Sequence, residues 1–389
     1  MEQVRLGIIG VGNMGTGHAL SLMAGDVPEM ALTAVADVNP ARLLWAEENL
    51  PGVARFDDAQ QLMESGLVDA VLVATPHYLH PPLVISALAH DLHVISEKPA
   101  GVYTKAVREM NEVAAKSDKT FAIMFNQRTN CVYRKMKEII SSGELGQIRR
   151  TNWIITNWYR SQSYYDSGSW RATWDGEGGG VLLNQCPHQL DLLQWLCGMP
   201  TKVQAHLHYG KWHDIEVEDD VTAYLEFPGG ATGVFITTTG DCDGINRLEI
   251  TTEHGKLLCE KDELICTYHE ENERQWCDSC KEGFGTPKSE TYTVETDGKN
   301  PQHAGVLNAF AAHILRGEPL VAGGEEGLNG LMLSNAMHLS DWLGKPVELP
   351  FDEELFLKLL TERRATSRKK EETDIVLDNS NSFGSTVKL

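Results

Sequence analysis

The chain opens with Val4-Arg5-Leu6-Gly7-Ile8-Ile9-Gly10-Val11-Gly12-Asn13-Met14-Gly15, and this stretch decides its first fold. Residues 4–9 read as an apolar strand and residues 16–24 as a helix. Between them lies a G-x-G-x-x-G sequence, a weak signal alone that gains meaning from the strand before it and the helix after it. Gly10 permits a tight turn, Gly12 lets the backbone approach a pyrophosphate, and Gly15 allows the helix to pack closely on the strand. Asn13 and Met14 lie in the turn that opens that helix, whose free N–H groups and positive dipole end suit phosphates. Asp37 ends the next strand-like run, 22 residues beyond Gly15. An acid there can bond both ribose hydroxyls and repels a 2′-phosphate, which favours NAD over NADP. The plainer reading of Asp37 is a cap on the helix that starts near Pro40.

Outward from this stretch, residues 1–125 keep alternating between short apolar runs and amphipathic segments. Strands are expected at 32–37, 54–56, 70–75, 93–96 and 121–125, with helices at 41–49, 82–90 and 105–116. Apolar strands of this kind, buried on both faces, predict a doubly wound parallel α/β sheet of the Rossmann type. A helix at 133–141 leads into strand-rich sequence, with runs at 149–159, 203–208, 221–227, 232–239, 247–252, 256–259 and 264–268. Turn signals at Pro228-Gly229-Gly230 and His254-Gly255 separate neighbouring runs. The second part is therefore expected to be α+β, with a large, mostly antiparallel sheet and helices at 188–196 and 304–315. Residues 270–288 read as a loop. The expected division is a dinucleotide-binding domain (1–125), a domain for substrate and oligomerisation (126–360) and a charged C-terminal extension (361–389).

Bulk properties exclude several classes. Hydrophobic residues make up 42% of the chain and charged residues 23%, the balance of a soluble globular protein. No apolar run approaches the ~18 residues of a membrane span. The start runs directly into a strand, which predicts a cytoplasmic protein without a signal peptide. A formal charge of −21 argues against nucleic acid and anionic membranes as partners and disfavours strongly anionic substrates, although a local basic pocket can override that field. The eight cysteines read as reduced thiols. Cys277-x-x-Cys280 lacks a second pair at metal spacing, so no metal site is expected.

Two constellations carry chemistry. Ala74-Thr75-Pro76-His77-Tyr78-Leu79-His80 and Ser96-Glu97-Lys98-Pro99 follow strands whose carboxyl ends face the ligand crevice of a doubly wound sheet. A lysine near a nicotinamide, partly desolvated, exchanges a proton with a substrate hydroxyl while hydride leaves the same carbon. The bland reading of Lys98 is a surface lysine paired with Glu97. The second constellation runs Gly178-Gly179-Gly180-Val181-Leu182-Leu183-Asn184-Gln185-Cys186-Pro187-His188-Gln189-Leu190-Asp191. Its glycines allow close backbone approach. Asn184 and His188, four apart, are expected on one helix face, His188 as proton shuttle and Asn184 on vicinal hydroxyls. A lone histidine at a helix start is also a common structural residue.

The glycine motif, Asp37, Glu97-Lys98-Pro99 and the Gly-Gly-Gly…His188…Asp191 stretch, in this order and spacing, resemble the Gfo/Idh/MocA oxidoreductases over roughly residues 4–350. The resemblance implies that Lys98 and His188 form the acid–base pair. It implies that Thr75, Pro76, His80 and Glu97 line the cofactor crevice and that Asn126 and Arg128 approach the active site. Trp170 and Arg171 resemble residues that close over the nicotinamide end, and homo-dimers or homo-tetramers are usual in the family. Inositol dehydrogenases of the family usually have aspartate where this chain has Asn184, which tilts the expected substrate toward a sugar or glycoside.

Aromatic and basic residues crowd the start of the second domain. Tyr159, Arg160, His213 and His303 are candidates to touch substrate, against the bland reading of core and interface. The leading expectation is hydride transfer between NAD and a secondary hydroxyl of a sugar, glycoside or cyclitol. An NAD-dependent glycoside-cleaving cycle that regenerates its own hydride uses the same residues. A non-catalytic NAD- and sugar-binding sensor is the third reading, weighed against the presence of both Lys98 and His188.

Overall fold

The structure is a computed structural model, and residues 2–370 of the chain are described. The opening stretch folds as β1 (Val4–Ile9), the glycine turn and the helix Asn13–Ala24. The strands that follow are β2 (Met30–Ala36), β3 (Ala54–Phe56), β4 (Ala70–Val73), β5 (His93–Ser96) and β6 (Phe121–Ile123). They form a parallel sheet in the order β3-β2-β1-β4-β5-β6. The order reverses between β1 and β4, and that switch point opens a crevice at the carboxyl ends of the strands. All of β4 and β6 is buried, as expected of strands covered on both faces.

The second sheet contains β7 (Ile148–Ile155), β8 (Lys202–Tyr209), β9 (Glu218–Glu226), β10 (Thr232–Thr238), β11 (Asn246–Thr252), β12 (Gly255–Glu260), β13 (Glu263–His269), β14 (Ser289–Thr293) and β15 (Val347–Glu348). Their order is β14-β13-β12-β11-β7-β10-β9-β8-β15, antiparallel except for the β7–β10 pair. Alternation sorts its faces: Val203, Ala205 and Leu207 of β8 are buried, while Gln204, His206 and His208 are exposed. The helix Gly327–Leu343 packs on the buried face along β8, and the helix Pro187–Cys197 packs against it. Trp153 and Phe235, fully buried there, are core residues.

The fold departs from the sequence expectations in several places. Strand β7 stops at Ile155, so Trp158, Tyr159 and Arg160 lie on the loop beyond it. Helices Gly327–Leu343 and Glu353–Ala365 were not expected. The first is buried on nearly all sides and so shows no amphipathic stripe; its Asn335 bridges the Val102 carbonyl and the Thr104 N–H. The segment read as a loop contains a helix, Glu273–Ser279, capped by Asn272.

The extension expected from residue 361 is, over its described part, the end of a helix and a strap. Ser367 bonds Glu216, and the Lys370 ammonium donates to the carbonyls of Tyr165 and Arg171 at 2.9 and 3.2 Å. Residues 371–389 lie outside the described residues. The boundary at 126 is also crossed. The helix Gln302–Arg316 buries Val306, Leu307 and Phe310 against β1, in the same cluster as Leu6 and Ile8. Among the described residues no helix is long and apolar enough to cross a membrane.

Candidate active site

At the switch point the glycine turn is fitted to its neighbours. Gly10 has φ +94°, and a Cβ there would lie 2.6 Å from the Ala74 carbonyl oxygen; one on Gly15 would lie 1.9 Å from the Gly10 carbonyl oxygen. Gly12, by contrast, faces open space. The helix that starts at Asn13 has no side-chain cap, so its first N–H groups remain for an anionic ligand. The Asp37 carboxylate accepts from the N–H of Val11 at 2.7 Å and of Asn39 at 2.8 Å. This fixes Asp37 beside the turn and leaves lone pairs for ribose hydroxyls.

A cleft of about 600 Å³ runs from Asp37 past Gly12, Asn13 and Met14 to Thr75, Pro76, His80, Glu97 and Lys98, then on to Asn126, His188, Trp170 and Arg171. Thr75 Oγ1, Asn126 Oδ1, Gln185 Oε1, His188 Nδ1 and Gln189 Oε1 are buried in its walls without a hydrogen-bond partner. Each such atom costs about 1–3 kcal/mol unless a ligand satisfies it. Their grouping along one cleft, with the open Gly12 turn at one end, fits a dinucleotide and a polar second ligand.

Lys98 follows β5, and its ammonium donates to the Asn184 backbone carbonyl at 2.9 Å. Burial pulls the Lys98 amine below its usual range, with Arg160 and Arg171 adding to the effect and Glu97 and Glu177 opposing it. Burial likewise holds His188 well below the usual histidine range, assisted by Lys98. Beside Lys98, the buried Glu97 meets His18 Nε2 at 2.7 Å, and His303 sets its ring edge-on to His18 with centroids 5.3 Å apart. Burial favours the neutral acid at Glu97, but the hydrogen bond from His18 and neighbouring positive charge hold it at about 2. His80 contacts the carbonyls of Thr75 and Pro99, both at 2.7 Å, and so joins the two loops that frame the cleft.

The second constellation differs from its expected geometry. Pro187 starts the helix, so Asn184 sits in the preceding turn rather than on the helix face of His188. A Cβ on Gly180 would lie 2.0 Å from the Glu218 carbonyl oxygen, the close approach expected of the glycines. The Asn184 side chain donates to Glu177, a buried carboxyl that also accepts from the Ala172 N–H at 2.6 Å. Burial raises the Glu177 carboxyl above its usual range. Sequence reasoning missed Glu177 and His18. Glu177 adjoins the glycine run, and that adjacency was the available signal; His18 had none.

Three expected residues lie outside the cleft wall. Arg128 is turned into the core, where it pairs with Asp191 at 2.6 and 2.8 Å and with Glu326 at 2.7 Å; its side chain is 2% exposed. Tyr159 is exposed on the loop beyond β7. His213 lies between Asp219 and the Arg160 carbonyl, at 3.0 and 2.9 Å, where it holds that loop. Arg160, His303, Lys98, Asn184 and His188 do line the cleft.

A Rossmann sheet with this glycine turn, joined to a second sheet that closes the crevice, defines an NAD-binding oxidoreductase. Residues 4–125 match the family described as oxidoreductase, NAD-binding Rossmann fold, and residues 133–258 match the GFO/IDH/MocA C-terminal domain. The chain belongs to the Gfo/Idh/MocA oxidoreductase family, and its cofactor is NAD. It is 26% identical to myo-inositol 2-dehydrogenase of Thermotoga maritima over 86% of this chain and 95% of that one. It is 30% identical to the rhizopine catabolism protein MocA of Rhizobium meliloti over 51% of this chain and 58% of that one. The WlbA dehydrogenase of Bordetella pertussis, solved with NADH and UDP-GlcNAcA, is 26% identical, with a TM-score of 0.75 over 90% of this chain and all of that one.

Proposed function

We propose that this chain oxidises a secondary hydroxyl of a sugar, glycoside or cyclitol, or reduces the corresponding ketone, with Lys98 and His188 as the acid–base pair. The observation that carries the reading is the half-buried Lys98 ammonium held at 2.9 Å from the Asn184 carbonyl, in the same cleft as His188 with its unsatisfied Nδ1. The name of the Thermotoga relative, a myo-inositol 2-dehydrogenase, supports a cyclitol-like substrate class. When bound, NAD supplies the hydride acceptor or donor. Lys98 in its neutral form takes the hydroxyl proton, and in the reverse direction its ammonium returns one. His188 hydrogen-bonds the same oxygen or its neighbour, and Asn184 orients an adjacent hydroxyl while Glu177 holds the amide.

Absorbance at 340 nm, read with NAD⁺ across hexoses, glycosides, sugar acids and inositols, tests the proposal. A rise with one class that is lost in Lys98→Ala supports it. Aglycone release without a rise replaces it with the self-regenerating glycoside-cleaving cycle. Silence in both assays from protein that binds NAD points to a sensor.

Assembly and location belong to the same reading. The open face of the second sheet, with Tyr224 exposed among polar neighbours, supports a homo-dimer or homo-tetramer, and a solution mass of only 43.1 kDa would refute it. All eight cysteines are free thiols, which supports a reducing cytoplasmic setting.

A further inference from the structure

The substrate end of the cleft is basic although the chain is strongly acidic. Arg160 and Arg171 both line it. Their guanidinium carbons lie 5.1 and 4.6 Å from the Tyr164 ring centroid, so both cations flank one aromatic ring, and Arg171 donates to the Tyr164 hydroxyl at 2.9 Å. Arg160 donates to the carbonyls of Tyr159 and Trp158, at 2.8 and 3.5 Å. Among the described residues neither guanidinium forms an ion pair with a carboxylate, although the Glu177 carboxyl lies near enough to Arg171 to feel its charge. The acids nearest Lys98 are committed elsewhere, Glu97 to His18 and Glu177 to Asn184 and the Ala172 N–H.

Both arginine backbones are anchored. The Arg160 N–H donates to the Thr239 carbonyl at 3.0 Å, and its own carbonyl meets His213. The Arg171 carbonyl accepts from Lys370. Two fixed guanidiniums with spare donors, in a cleft that also holds Lys98, make a pre-organised anion site.

We propose that the substrate carries a carboxylate, as a uronic acid or its glycoside does, and that Arg160 and Arg171, both beside Tyr164, bind it while Lys98 and His188 face the ring hydroxyl to be oxidised. The planar fork of guanidinium matches a carboxylate edge, and a monoanion meets less repulsion from a chain of charge −21 than a phosphate dianion does. This inference rests on the hydride-transfer reading above.

The test is calorimetric binding of methyl β-D-glucuronide, methyl β-D-glucoside and glucose 6-phosphate to the NAD⁺-loaded full chain. The expected result is that the glucuronide binds about tenfold or more tightly than the glucoside. That preference should shrink with added salt and fall to within about threefold in Arg160→Gln and Arg171→Gln. Circular dichroism and the thermal unfolding transition of each variant establish that it is folded. Equal or tighter binding of the neutral glucoside overturns the proposal, as does tighter binding of the phosphate, or a preference that survives both substitutions. If the glucoside is also oxidised at 340 nm, the proposal alone falls and the hydride-transfer reading stands. If no sugar binds or reacts, both fall.

Discussion

The Lys98 ammonium donates to the Asn184 carbonyl at 2.9 Å, tying the end of β5 to the turn before helix Pro187–Cys197. One hydrogen bond thus aims the proposed base across the boundary between the two sheets. Lys98→Met should lower the rate of alcohol oxidation by roughly 10²–10⁴-fold while leaving NAD⁺ binding in place. Because burial lowers the Lys98 amine, the rate should rise with pH and level off below the ordinary lysine value of 10.5. A plateau at or above 10.5 would refute Lys98 as the titrating base. Lys98→Arg, which cannot deprotonate, should lose this limb.

Asp37 stands at the ribose end, with Arg42 in the same cleft wall. Replacing Asp37 by Ser removes the charge that repels a 2′-phosphate and leaves the arginine. NAD⁺ affinity should fall roughly 10–100-fold, as loss of a charge-assisted hydrogen bond implies, and NADP⁺ should become usable. Titration of cofactor fluorescence with both nucleotides reads this directly; an unchanged preference would mean that Asp37 only braces the glycine turn and the Asn39 N–H.

Arg128 pairs with Asp191 deep in the core, their side chains 2% and 1% exposed. Arg128→Met strands a buried carboxylate, and urea denaturation should show a loss of about 3–5 kcal/mol. The double replacement Arg128→Met with Asp191→Leu should recover much of that loss. Substrate KM in the folded fraction should stay near the parent value, whereas a large rise would restore Arg128 to the substrate site.

Glu97 is held at about 2 by His18 and neighbouring charge despite burial that favours its neutral form. A depressed folded value means that the carboxylate stabilises the fold above the ordinary value of 4.5, and that this contribution disappears as pH falls from 4.5 through about 2. The stability gap between the parent and Glu97→Gln should therefore be widest near neutrality and close across that acid range. A gap independent of pH would refute the pairing.

Lys370 holds the carbonyls of Tyr165 and Arg171, on the segment that carries Trp170 over the cleft. Lys370→Ala should leave the melting temperature within about a degree or two, as a partly exposed contact implies. Hydrogen exchange over residues 164–177 should accelerate, and substrate KM should rise several-fold with a smaller change in kcat. Unchanged exchange in that segment would show that the strap does not order it.

What the sequence determined by itself is the material encoded in near neighbours. The glycine turn reads directly because Gly10 and Gly15 are required by contacts within one strand–turn–helix unit, and β1 falls at Val4–Ile9 as its apolar run predicts. Strands buried on both faces, such as β4, carry their own signature, as does the alternation along β8. The place of Lys98 and His188 in the cleft was legible because strand ends and helix starts are local features.

Tertiary structure decided what depends on distant partners. Arg128 beside a motif looks the same in sequence whether it faces a ligand or Asp191, and only a contact 63 residues away commits it to the core. Glu177 acquires its place from the fold of its own loop around Asn184, and His18 from a glutamate 79 residues on. Helix Gly327–Leu343 was invisible because burial on nearly every side erases the periodic stripe. The return of helix Gln302–Arg316 to the first sheet carries His303 into the cleft, and no local pattern encodes which sheet an apolar helix face will cover.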